Sequence, residues 1–453
     1  MKRGVIVLVG ILLVVGAVLL ILNIRAGNRA KVVKETTLSV WLPFDEVKTY
    51  QQISSKFLTD KPNVKLDFKY IESKDAKEYE AKVVDEIANG RGPDIWLVRN
   101  DWIPKHAAKS LPAFSERKEA NPITSAKGRL LPSVVDANTY EGKLYGVPLA
   151  GDTLAVIYNA DFYNQYAKEA PQADQKEALG RLALTWSDLS LQVAGVARAR
   201  GTLITRSAIA LGTAENTFAP ADVLGAFLTQ AGTTILTDDK KSINFNLSVF
   251  KDGVDSQPAA DALAYYTSFS TPGAANFSWS NTLGNPLEAF LAGKTGALIG
   301  YYSTLQEILA KEPTFKIQVA PLVQKTAVKQ TERVDYGATW SHIVNKDSAN
   351  GSMAWSYLSY LTDSIVLTQY AELTGKISVV RTNPRTLDIL LVDSGKAIKT
   401  FATQLQTMKS FVKPEWQQVD EILQDTIKLV TNSSQTPQTS VDSAAERLKV
   451  FLN

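Results

Sequence analysis

Cysteine is absent from the 453-residue chain, and that absence removes several chemistries at once. No disulfide, thiolate metal site or cysteine nucleophile can form, and no N-terminal cysteine exists to carry a lipid. Histidine is almost absent, with only His106 and His342. Two isolated histidines without spaced partners make a poor metal site. Nucleophilic catalysis needs a base beside its nucleophile, and no G-x-S-x-G elbow occurs. His106, after Pro104, reads as a surface residue. His342, after Trp340-Ser341, reads either as a pocket wall or as solvent-facing.

Charge of one sign is also lacking. Lys and Arg number 49 against 46 Asp and Glu, leaving +3. No basic stretch with interleaved aromatics marks a nucleic-acid surface. There is no G-x-G-x-x-G. Gly293-Lys294-Thr295 imitates a phosphate loop, but that motif needs glycine five positions earlier, where Glu288 stands. Gly293 reads instead as a helix stop. No metal, no cofactor and no catalytic residue is assigned.

What the chain does contain starts at its N-terminus. Met1-Lys2-Arg3 precedes 19 residues, Gly4 to Leu22, without one polar side chain. At about 1.5 Å per residue they span roughly the 30 Å core of a bilayer. A cleaved signal has a shorter apolar region and a small-x-small site, which Arg25, Asn28 and Arg29 interrupt here. The expectation is a single-pass anchor over 4–24 and a polar tether over 25–36. Basic residues flank both ends of the apolar run, so charge alone does not orient it. The segment pattern beyond residue 37, rather than the charge count, places the body on the extracytoplasmic side of the cell membrane.

The body alternates strands and helices. Leu38–Leu42 reads as a strand, 46–58 as a helix, and Val64–Tyr70 as a strand with one buried face. Ser73 can cap a helix on which Tyr79, Val83 and Ile87 recur, with Gly90 as its stop. Pro93–Val98 is a buried strand. This β-α-β-α-β order predicts a mainly parallel sheet in a first lobe. Further strands are expected at 145–149, 152–158 and 296–302. Helices are expected at 185–200, 220–231, 259–269, 286–292, 353–361, 414–430 and 440–451.

Aromatics carry the strongest chemical signal, with 8 Trp and 16 Tyr. A sugar offers apolar C–H faces and many hydroxyls, which flat rings and Asp, Asn or Arg groups satisfy. Most Trp pack in cores, so Trp96, Trp186, Trp355 and Trp416 read as packing residues. In α/β sheets ligands sit beyond the carboxyl ends of strands. That raises Trp41, Trp340, Tyr301 and Tyr302. Trp279 lies in a loop-like stretch, and Asp152 lies where two lobes would join. Of the other carboxylates, Asp94 stands at a strand start and Asp161 in a turn.

Several segments together resemble the extracellular solute-binding proteins of ABC importers, in the sugar-binding, maltose-binding-protein-like group. GRGPDIWLV resembles a first-lobe strand of that family. YEGKLYGVPLAGDTLAVIYNADFY resembles its hinge crossing, LTWSDLSLQVAGVA and PLEAFLAGKTGALIGYYS two second-lobe segments, and YGATWSHIVNKDSANGSMAWSYLSYL the return to the first lobe. The resemblance covers about 37–453. It implies a two-lobed periplasmic-binding-protein-like α/β fold, with 37–149 plus 338–385 in lobe one and 150–337 plus 386–453 in lobe two. The ligand-binding set expected from the strand-end rule and the resemblance is Trp41, Asp94, Asp152, Trp279, Tyr301, Tyr302 and Trp340. The implied partners are a small solute, expected to be a carbohydrate, and ABC permease subunits, with the protein a monomer. Two other readings stay open: an anchored glycoside hydrolase using paired carboxylates, and a sensor presenting its ligand to a signalling partner.

Overall fold

The computed structural model describes residues 35–113, 122–237, 242–251, 253–381 and 395–452. The expected anchor and all but the end of the tether lie outside these residues. Among the described residues no helix is long and apolar enough to cross a membrane.

The strands that organise the molecule are β1 (Thr36–Leu42), β2 (Val64–Tyr70), β3 (Ile95–Arg99), β4 (Gly146–Thr153), β5 (Ala155–Asn159), β6 (Ala297–Gly300), β7 (Ile317–Pro321), β8 (Asp335–Val344), β9 (Ile377–Ser378) and β10 (Met408–Lys409). The larger sheet has the order β9-β4-β8-β3-β1-β2, with β10 beside β8. β1 pairs in parallel with β2 and β3, as the alternating order predicts. β8 runs antiparallel to both β3 and β4. Its reversal follows from its path, because it returns from the second lobe while β3 and β4 run towards that lobe. The smaller sheet has β5 between antiparallel β6 and β7. Only Leu154 separates β4 from β5, so the chain passes almost directly from one sheet to the other. The expected strand over 152–158 is therefore split, and the expected lobe boundary at 149 falls inside β4.

The principal helices are α1 (Val47–Ile53), α2 (Ala76–Ala88), α3 (Trp186–Val196), α4 (Pro220–Gln230), α5 (Pro258–Ser268), α6 (Tyr302–Leu309), α7 (Ser364–Thr374), α8 (Trp416–Thr431) and α9 (Pro437–Leu448). The expected helix over 46–58 breaks at Ser54 into two. α2 is capped by Asp75, which accepts the Glu78 amide, and not by Ser73. Aspartate binds the orphan N–H groups of a first turn and its charge suits the positive helix end. α3 has a reciprocal capping box between Thr185 and Asp188.

Three apolar clusters hold the body. One fills the second lobe beneath α3, α4, α5, α8 and α9, with Phe227, Tyr266, Phe269 and Ile427 fully buried. A second lies under one face of the large sheet against α1 and α7, and extends to Leu298 and Leu305. The third covers the other face with Tyr79, Val83, Trp96, Val98 and Trp102. Each such side chain contributes about 1.5–3 kcal/mol on burial.

A buried charge network ties the lobes where β10 leads into α8. Lys413, with 1% of its side chain exposed, places Nζ 2.9 Å from Asp222, 2.6 Å from Asp420 and 3.5 Å from Asp101. Arg99, at the end of β3, bonds Asp101 and reaches Asp222 at 3.1 Å. Tyr301 and Tyr336 donate their hydroxyls to Asp222 at 2.9 and 3.2 Å. Burial alone would raise the Asp222 carboxyl, but Arg99 and Lys413 outweigh it and hold it well below the usual range. Burial would likewise lower Lys413, yet Asp222, Asp420 and Asp101 keep it above its ordinary value.

Removing one partner of a buried ion cluster strands the others. Asp222→Ala is expected to cost about 3–5 kcal/mol of stability, read from the denaturant midpoint at constant slope. A loss below about 1 kcal/mol, as for a surface pair, would show that the network holds nothing.

Candidate functional site

A cleft of about 390 Å³ opens where the ends of β3, β4 and β8 meet the start of α6. Its lining includes Phe44, Glu46, Arg99, Asp152, Tyr301, Tyr302, Trp340, His342, Tyr370 and Lys376. The strand-end rule accounts for this location, since β1 ends just before Phe44 and β3 ends at Arg99.

Four of the seven expected ligand-binding residues come together here: Asp152, Tyr301, Tyr302 and Trp340. Asp152 is on β4, and its carboxylate accepts the Tyr302 and Ser303 amides at 2.6 and 3.0 Å. It thereby closes the first turn of α6 from the opposite lobe. Burial pushes its carboxyl up to about 6, against those hydrogen bonds. Gln306 of α6 donates to the Gly375 carbonyl at 3.1 Å and bridges the same gap. Trp340 is half-buried, with Phe44, Trp102 and Tyr79 edge-on at ring distances of 5.4, 5.2 and 6.0 Å. The Tyr301 hydroxyl points away from the cleft into the charge network.

The other three expected residues lie elsewhere. Trp279 is fully buried in the second apolar cluster and donates its indole N–H to the Asn216 carbonyl at 2.9 Å. Asp94 is a structural acceptor: it takes the Ser39 amide at 2.8 Å and the Ser348 hydroxyl, fixing β1 against the loop after β8. Trp41 turns to the outer face of the sheet, where Lys69 covers its ring at 4.6 Å. Side chains alternate along a strand, so a residue near a strand end still has an even chance of facing the wrong way.

Sequence reasoning missed Phe44, Glu46, Tyr50, Arg99, Tyr370 and Lys376. Arg99 and the Phe44–Glu46 turn obey the strand-end rule and were accessible to it. Tyr370 and Lys376 arrive through α7 and carry no local signal. Lys376 lies 2.5 Å from Glu46 and 4.2 Å above the Phe44 ring, and Tyr370 donates to Glu46 at 2.6 Å. The charges of Glu46 and Lys376 thus cancel locally.

Both histidines are buried, contrary to expectation for His106. It lies 2.6 Å from Glu80, which α2 turns inward. His342 lines the cleft beneath its surface. Its Nδ1 must donate to the Val147 carbonyl at 2.8 Å, since a carbonyl only accepts, so Nε2 accepts from Tyr50 at 2.8 Å. This fixes the neutral tautomer, and burial lowers the His342 pKa to about 4.

A second hollow, also about 390 Å³, lies on the outside of the second lobe by Tyr158, Tyr163, Arg181 and Lys316. One lobe alone forms it, so no lobe movement can enclose a guest there.

The buried state of His342 sets a pH dependence. An unfolded histidine titrates near about 6.5, so between pH 6.5 and 4 the unfolded chain binds the extra proton. The stabilisation is present above that window and is lost as pH falls through it. Unfolding free energies measured across the window should fall by about 2–3 kcal/mol more in the native chain than in His342→Gln. Identical slopes would contradict the buried neutral tautomer.

Similarity to known proteins agrees with this geometry. A protein of Brucella abortus (strain 2308) is 21% identical over 415 residues, 89% of each chain. The sugar-binding protein MalE of Xanthomonas citri superposes with a TM-score of 0.71 at 19% identity, covering 92% of this chain and 97% of the other. The cyclic alpha-maltosyl-1,6-maltose binding protein of Arthrobacter globiformis gives 0.71 at 16% identity, covering 92% and 99%. These likenesses establish the two-lobed fold. The pattern of bacterial extracellular solute-binding proteins matches residues 52–385, and the chain belongs to that family.

Proposed function

We propose that this protein captures a neutral sugar or oligosaccharide between its lobes and delivers it to an ABC importer. The observation that carries the proposal is the composition of the cleft. Trp340, Phe44 and Tyr370 offer rings, and Asp152, Arg99, Glu46 and Lys376 offer charged hydrogen-bonding groups. Arg99 and Lys376 are paired with Asp222 and Glu46, and Asp152 is bonded to two backbone amides, so an uncharged polyhydroxylated guest meets groups already satisfied within the protein. Charged groups bonded to neutral hydroxyls give strong, directional contacts. Two of the similar structures bear names of sugar binders, MalE and the cyclic maltosyl-maltose binder, which favours the same ligand class.

The mechanism is a population shift. A guest touching Trp340 on one lobe and Tyr302 or Ser303 on the other binds the closed arrangement better, and favours it by that difference. No bond is made or broken. On this reading the body lies outside the membrane as a monomer, tethered through the uncleaved apolar run over 4–24. The support for this is the 19-residue apolar run and the family's extracellular character.

Two measurements test this reading. In calorimetric titration with a panel of malto-oligosaccharides, Trp340→Ala should weaken binding by more than about 1 kcal/mol while the circular dichroism spectrum shows the fold retained. Equal affinity would remove the ring from the site, and release of shorter sugars would establish a hydrolase instead. Deletion of residues 1–30 should give a soluble monomer after cell fractionation. Continued sedimentation with membranes would rule out a single anchor.

A further inference from the structure

Trp340 is held from behind by an aromatic series that ends on the other lobe. Its ring meets Trp102 edge-on at 5.2 Å and 75°. Trp102, 1% exposed, is stacked on Trp416 at 4.4 Å and 9°. Trp102 lies in the turn directly after Arg99, and the Asn100 side chain of that turn accepts the Thr339 amide at 2.7 Å. The turn and the Trp340 strand therefore share one rigid frame.

Trp416 opens α8, a helix divided between the lobes. Val419, Ile422, Leu423 and Ile427 sit in the second-lobe core, whereas Trp416 packs into the first-lobe cluster of Tyr79, Trp96 and Trp102. Its indole N–H donates to Glu80 at 3.0 Å, and Gln417 donates to the same oxygen at 2.8 Å. Glu80 is only 2% exposed, and Lys105 and His106 hold its other oxygen at 3.1 and 2.6 Å. The carboxylate is thus a fixed anchor for the first turn of α8. The Coulomb attraction of Lys105 and the several hydrogen bonds make this a well-determined position.

We propose that Trp416 is a positioning residue for the binding cleft: stacked on Trp102 and anchored by Glu80, it sets the orientation of the Trp340 ring. The segment from Lys413 to Gln417, which joins the lobes, is thereby part of the binding apparatus although it touches no guest. The effect on ligand affinity rests on the sugar-site reading, but the ring orientation does not.

The test uses the full-length chain in detergent with 5-fluorotryptophan at its eight tryptophans. Trp340→Phe assigns the Trp340 fluorine resonance. Trp416→Ala should shift or broaden that resonance, and Trp416→Phe, which keeps a flat face, should largely preserve it. An unchanged Trp340 resonance in folded Trp416→Ala overturns the proposal. If that variant fails to fold, Trp416→Leu keeps the bulk without the flat face and is judged by the same criterion. With maltotriose as the probe, Trp416→Ala should weaken binding roughly three- to tenfold, the range of one aromatic pair. In a Trp340→Ala background it should add nothing, because the two changes act through one ring. Equal losses in both backgrounds would show a general structural effect and overturn the positioning role. If the unaltered chain binds no sugar, the sugar reading fails, and the fluorine spectra still decide the role of Trp416.

Discussion

The joint between the lobes depends on the Asp222 carboxylate being satisfied. Four groups from different parts of the chain converge on it: Arg99 from the end of β3, Tyr301 after β6, Tyr336 on β8 and Lys413 on the way to α8. A carboxylate this buried would be costly alone, and so would Lys413. Together they hold the end of β3, the residue after β6, β8 and the segment before α8 to one point. Two of the four, Arg99 and Tyr301, also line the cleft. The same interaction that joins the lobes therefore shapes the floor between them.

From that joint the cleft acquires two unlike walls. The first lobe supplies the rings and the self-cancelling Glu46–Lys376 pair. The second supplies the N-terminal turn of α6, already bonded to Asp152 across the gap. Family membership fixes the class of activity as solute binding. The pairing of charges within the cleft is what narrows the proposed solute to a neutral one. A charged guest would have to break an internal pair before making its own, and that exchange gains little.

Much of this was legible in the chain before its coordinates. Period-two alternation located β2, the β-α-β order gave the parallel start of the large sheet, and the helix expected from residue 185 starts there as α3, with Thr185 as its cap. The resemblance implied Asp152, Tyr301, Tyr302 and Trp340, which the fold gathers. Trp41, Asp94 and Trp279 were misread because sequence position does not give side-chain direction. Trp41 is one pleat out of phase with the cleft, and Trp279 found a carbonyl for its N–H inside the core. His106 looked exposed because nothing near it in sequence announces Glu80, 26 residues earlier. The Asp222 network was invisible for the same reason, since Arg99 and Asp222 are 123 residues apart. Long-range polar partners have no periodicity to betray them.

Enclosure of a guest between the lobes is decided by a crystal structure of the body grown with a malto-oligosaccharide. The expected result is a sugar ring lying flat against Trp340, within hydrogen-bonding reach of Arg99 or Asp152. Sugar bound instead in the outer hollow beside Tyr158 and Lys316, with the interlobe cleft holding only water, would contradict it.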